Sequence, residues 1–219
     1  MRTTPRLAAI LSVLLATACM ASADVIQSTP SLPPTGGGYT AGTICVHLGP
    51  GVCVVGPTLS NFTGTTWTIN GMGEAIDSNI SFNASIYTDN NGMPGTYIGP
   101  FSADGPIGIL YANRTSDSEL GSWVSTLTEL DLSGMFNGHT VEVMLTNNPS
   151  SGMTSVAADG PDFLVSSFFD VFAEISIDHG SFMPGPERTF VLTPEPGSAS
   201  LLLLGLLGVA EKLRRRIAR

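Results

Sequence analysis

The chain has 219 residues, 42% of them hydrophobic and only 12% charged, with 25 Gly and 15 Pro. A mean hydropathy of +0.26 excludes a disordered chain, and the Gly and Pro content excludes a long helical bundle. The net charge of −9 argues against nucleic-acid binding through phosphate contacts. The charges are also segregated. Arg2 and Arg6 stand at one end, and Lys212, Arg214, Arg215, Arg216 and Arg219 at the other. Between Asp24 and Pro196 only Arg114 and Arg188 are basic, against 17 acidic residues, a local balance of −15. Basic ends around an acidic middle are expected to face the cytoplasm during biogenesis.

In chain order, Arg2 and Arg6 precede an apolar run, Leu7 to Ala18, and then Ala21-Ser22-Ala23. That order predicts a secretory signal peptide over residues 1–23, with signal peptidase reading Ala21 and Ala23. The alternatives are a buried N-terminal helix and lipoprotein processing at Cys19, where Ala16 replaces the usual Leu. Residues 28–38 (STPSLPPTGGG) read as a loose arm.

Removal of Cys19 leaves Cys45 and Cys53, symmetric about Gly49 in CVHLGPGVC. A hairpin turning there sets the two opposite each other, as a cross-strand disulfide of an exported protein requires. The alternative is a pair of buried thiols.

Period-two alternation dominates the middle. It is clearest in Ile80–Tyr87, Thr140–Thr146 and Phe169–Asp178. Further strands are expected at Gly42–His47, Val52–Val55, Thr65–Ile69, Thr96–Phe101, Ile107–Tyr111, Ser122–Leu130, Thr154–Ala158 and Arg188–Leu192. Turns are expected at Gly49-Pro50-Gly51, Asn90-Asn91-Gly92, Asn137-Gly138, Asn148-Pro149 and Asp159-Gly160-Pro161. Together these predict one all-β domain over 24–193, an antiparallel β-sandwich or jelly-roll-like fold.

The chemistry-bearing residues are few. The segment has no Lys, and none of the common hydrolase, zinc or redox motifs is present. His47, His139 and His179 are separated in sequence and fall at turns. Asp170 and Glu174 could be imagined as a glycosidase acid and base, but seventeen acids make some such pair expected by chance. Asp89-Asn90-Asn91-Gly92 and Asp159-Gly160-Pro161-Asp162 cluster oxygen ligands without matching an EF-hand, so calcium is an alternative to plain Asx turns. Trp67, Tyr87 and Trp123 offer either a sugar-stacking surface or core packing. Thr66-Trp67-Thr68 and Thr126-Leu127-Thr128 are too isolated to form an ice-binding array. Four Asn-x-Ser/Thr sequons start at Asn61, Asn79, Asn83 and Asn113. No cofactor or metal is expected, and no catalytic residue is assigned.

At the C-terminus, Pro194-Glu195-Pro196 is followed by the apolar run Ser198–Ala210 and then EKLRRRIAR. The run is about 20 Å as a helix, short of a ~30 Å hydrocarbon core. A transmembrane helix over about 198–213 is expected, with the basic residues snorkelling. Lys212, Arg214, Arg215 and Arg216 form a cytoplasmic basic stop. The alternative is an amphipathic helix docked on the domain.

The ordered set of Pro194-Glu195-Pro196, Leu/Gly-rich helix and Arg214-Arg215-Arg216 resembles the PEP-CTERM sorting signal, a tail also labelled an ice-binding-protein C-terminal domain. The resemblance covers Thr193 to Arg219. It implies processing by an exosortase of a Gram-negative envelope, an inner-membrane precursor with a periplasmic domain, and delivery to the cell surface or the exopolysaccharide matrix. The segments Ile86–Thr96 and Ser167–Phe172 resemble stretches of β-domains that carry such tails. The functional expectation is a non-enzymatic envelope protein associated with surface polysaccharide. The alternatives are a carbohydrate-binding or calcium-dependent adhesive module, a secreted hydrolase and an ice-binding protein.

Overall fold

The structure is a computed structural model that describes residues 24–46 and 51–194. Its thirteen strands are β1 (Val25–Gln27), β2 (Gly37–Ala41), β3 (Ile44–Val46), β4 (Val52–Asn70), β5 (Gly73–Asn90), β6 (Met93–Ala112), β7 (Gly121–Phe136), β8 (His139–Leu145), β9 (Ser150–Asp159), β10 (Asp162–Val171), β11 (Ala173–Ile177), β12 (Met183–Pro184) and β13 (Arg188–Pro194). Every pairing is antiparallel. The all-β antiparallel expectation therefore holds.

The hydrogen-bond ladder runs β10-β13-β2-β4-β5-β6-β7, and β9 pairs both β7 and β10. These eight strands thus close a ring, which removes most free edges. Beyond the ring, β8, β11 and β12 continue outward from the end of β7. β7 makes both connections because it is long: Gly121–Leu127 pairs β9, and Asp131–Phe136 pairs β8.

Strand length is where the sequence expectation needs correction. Val52–Val55 and Thr65–Ile69 belong to one strand, β4. Gly56, Asn61 and Gly64 adopt φ near +60°, and each falls at a register shift against β5. These are bulges, tolerated because Gly and Asn accept the left-handed conformation. Thr96–Phe101 and Ile107–Tyr111 likewise join in β6. Asp104-Gly105-Pro106 looks like a turn, yet it stays paired with β5. A Cβ on Gly105 would lie 1.9 Å from the Asp131 carbonyl oxygen, so only glycine lets β7 approach there. The alternating run 169–178 is conversely two strands, broken at Phe172 where the chain passes from β10 to β11. Within the expected strand Gly42–His47, Ile44–Val46 forms β3, and the preceding β2 at Gly37–Ala41 is an additional strand.

Tight turns follow their sequence signals. Asn91-Gly92 and Asn137-Gly138 have φ of 54°, 81°, 51° and 85°, the paired positive values of a type I′ hairpin turn. Gly160 has φ 62° ahead of Pro161, as a type II′ turn requires.

The arm at 28–38 is not loose. Leu32 is fully buried, and Pro33 and Pro34 are buried beside it. Its carbonyls are also used: Gln27 Nε2 donates to Ser31, Arg114 Nη2 to Pro30 and Trp67 Nε1 to Leu32, at 2.7, 2.9 and 2.6 Å. Apolar side chains with satisfied carbonyls make this segment a plug over one end of the ring.

Among the described residues no helix is long and apolar enough to cross a membrane. The expected signal segment 1–23, His47, and the tail from Glu195 on, with its span at 198–213, lie outside the described residues.

Candidate functional site

The two ends of the ring are built differently. At the end closed by the 28–38 segment, Ile76, Ile109, Tyr111, Val156 and Val165 are buried almost completely. Glu74 and Arg114 form an ion pair there, with both side chains fully buried. Arg114 Nη2 also donates to the Asp117 carbonyl at 2.7 Å, and the guanidinium lies 5.0 Å from the Trp123 ring centre. Burial pushes the Glu74 carboxyl up, and Arg114 opposes that shift. A second buried polar chain runs from Tyr39 to Ser167 to Thr154 to Ser125, with spacings of 3.1, 2.7 and 2.7 Å. Burial raises the Tyr39 hydroxyl to about 12.

The opposite end holds a cavity of about 310 Å³, at the lower bound of the ~300–1,000 Å³ usual for small-molecule sites. Its floor includes Leu59, Phe101 and Leu130, and its outer wall includes Val143, Ile175 and Ile177. The outer wall is only partly covered, and Ile177 is 39% exposed. This explains why the alternation of β8 and β11 is apolar while its inward face is not fully buried: the face looks into empty space.

Arg188 is the charged side chain among the described lining residues. It begins β13, where it pairs with Val171. Nη1 donates to the Glu187 carbonyl at 3.2 Å, whereas Nε is buried without a hydrogen-bond partner. It joins none of the ion pairs among the described residues.

Beside the same end, His139 Nδ1 lies 2.7 Å from Asp178 Oδ2, and His179 Nδ1 lies 2.9 Å from Glu142 Oε1. Two of the three separated histidines are therefore neighbours, because β8 and β11 pair Val141 with Ile177. The hydrogen bond with His139, aided by the Thr140 N–H, holds Asp178 below the usual carboxylate range. Exposed pairs of this kind contribute little to stability.

The remaining sequence candidates disperse. Cys45 and Cys53 are directly paired across β3 and β4 and are bonded, with S–S 2.02 Å. With Asp89 they form the one convergent group of potential metal ligands among the described residues, but sulfurs bonded to each other are not thiolate ligands. Asp89 Oδ1 accepts the Gly92 N–H at 2.7 Å, closing the β5–β6 turn. Asp159 and Asp162 face each other across the β9–β10 hairpin. Asp170 accepts the Thr189 hydroxyl, and Glu174 stands on β11 opposite Met144. Trp67 is exposed on β4, Tyr87 packs edge-on against Tyr97 with ring centres 5.3 Å apart, and Trp123 is core. These aromatics form no common platform. Pro194 is the last residue of β13, opposite Gly37.

Compared with known protein families, with curated proteins and with solved structures, the chain matches none. Sequence reasoning missed the Glu74–Arg114 pair and the place of Arg188 in the cavity wall. The available signal was scarcity: in a lysine-free acidic domain the two arginines are each conspicuous.

Proposed function

We propose that this chain is a non-enzymatic envelope protein, exported by its N-terminal segment and sorted by an exosortase acting at Pro194-Glu195-Pro196. The observation that carries the reading is the Cys45–Cys53 disulfide, a bond characteristic of proteins that mature in an oxidising compartment. One placement supports it: β1 begins at Val25, one residue beyond the expected start at Asp24. β13 extends to Pro194, one residue past the expected domain end, so the sheet takes in the first residue of the expected sorting motif. The domain is then a jelly-roll-like sandwich in which closure of the ladder protects strand edges outside the cell. Non-enzymatic character rests on the sequence, which has no Lys between Asp24 and Pro196 and none of the common hydrolase, zinc or redox motifs, and association with surface polysaccharide rests on the resemblance of the tail. Proline disfavours helix, which suits a motif read in a protease cleft; Pro194 would first have to leave its pairing with Gly37.

The test is processing in a host that contains an exosortase. Replacing Pro194-Glu195-Pro196 with alanines is expected to leave an uncleaved, membrane-held precursor. Deleting Ser198–Arg219 is expected to release a folded domain to the periplasm. Normal processing of the alanine variant contradicts the reading.

A further inference from the structure

We infer that the open end of the ring binds one medium-chain aliphatic carboxylate, with its chain in the apolar cavity and its head on Arg188. Three observations converge on this chemistry. The cavity is large enough for a small ligand and lined almost wholly by aliphatic and aromatic side chains, Leu59, Phe101, Leu130, Val143 and Ile175 among them. Such walls favour an alkyl chain, because each methylene removed from water adds to the affinity. The charged lining residue is a cation, Arg188, in a segment that has only one other Lys or Arg. That other one, Arg114, is consumed by Glu74. Finally, Arg188 Nε is buried with no partner. A buried donor without an acceptor is a standing cost that a ligand oxygen relieves.

The guanidinium geometry selects among amphiphiles. Nε and a terminal nitrogen present parallel N–H groups that a carboxylate can accept together. An alcohol of equal length accepts fewer hydrogen bonds and carries no charge, and an alkylammonium is repelled. The net negative charge of residues 24–196 disfavours non-specific anion binding, so recognition depends on Arg188 itself. Cavity occupancy is independent of how the chain is sorted.

The experiment uses the full chain in phosphatidylcholine nanodiscs, with empty nanodiscs as the reference. Binding of [1-13C]decanoate and [1-13C]decanol is followed by carbon NMR. Decanoate is expected to show a saturable one-to-one bound resonance that empty nanodiscs lack, and decanol to bind at least about tenfold more weakly. Arg188→Gln is expected to weaken decanoate by about tenfold or more and leave decanol unchanged. Val143→Phe, which fills the cavity, is expected to remove saturable binding of both. If Val143→Phe does not fold, the Arg188→Gln comparison still decides. Absence of a saturable decanoate resonance overturns the inference, as does equal decanoate affinity in wild type and Arg188→Gln. Undiminished binding by a folded Val143→Phe also overturns it.

Discussion

The end of the ring plugged by residues 28–38 and the end that holds the cavity draw on the same strands. β4, β5, β6 and β7 run through both. At the plugged end, large side chains and a buried ion pair fill the interior, although Glu74 Oε1, Tyr111 OH and Arg114 Nε are buried there without hydrogen-bond partners. At the other end the strands diverge toward β8 and β11, and aliphatic walls face each other without filling the gap. Closure of the ladder lets one end be left unfilled, because the other end and the continuous hydrogen bonds fix the strands. Stability and a candidate binding site are thereby separated along the strand axis.

The largest expected effect tests the plugged end. Glu74→Ala leaves the Arg114 guanidinium buried beside no counter-charge and is expected to cost about 3–5 kcal/mol, read by urea denaturation. A double-mutant cycle with Arg114→Met should show strong coupling, the double variant losing less than the sum of the singles. Additive losses would mean the two groups act separately.

Matched truncations sharpen the contrast. Ile109, 1% exposed, is expected to cost about 2–5 kcal/mol when replaced by Ala. Ile175→Ala, on the cavity wall, is expected to cost about 1 kcal/mol or less, because its side chain already lacks neighbours on one side. Equal losses would make the two ends equivalent.

The disulfide stands next. Reduction opens a link between residues eight apart in sequence and is expected to lower stability by about 2–3 kcal/mol. Mass spectrometry of the exported protein should find Cys45 and Cys53 blocked to alkylation before reduction. The smallest effect is electrostatic. The folded-state pKa of Asp178 lies below its unfolded value. Its contribution is therefore present above the ordinary carboxylate pKa and fades as pH falls through the depressed one. Carboxyl-carbon NMR should show Asp178 titrating low, and His139→Ala should move it upward.

Much of the fold was legible because period-two alternation and Asn-Gly turns are local signals. Phe169 and Val171 point inward as the pattern requires, and the hairpins at Asn91-Gly92 and Asn137-Gly138 turn where expected. The long strands were not legible. Gly56-Pro57 and Asp104-Gly105-Pro106 have the composition of turns, yet the first is a bulge within β4 and the second stays paired with β5. The arm was misread because its order depends on distant donors, Trp67 and Arg114. The cavity was hidden for a related reason: alternation reports which way Val143 and Ile175 point, not whether anything fills the space they face.

Native-state amide hydrogen exchange of the full chain tests the two-ended account most directly. The account predicts that amides of Ile76, Ile109 and Val165 exchange only through global unfolding. Amides of Val141, Val143 and Ile175 are predicted to exchange earlier, through local opening of β8 and β11, and to gain protection when decanoate is added. Uniform protection across both ends, unchanged by decanoate, would contradict it.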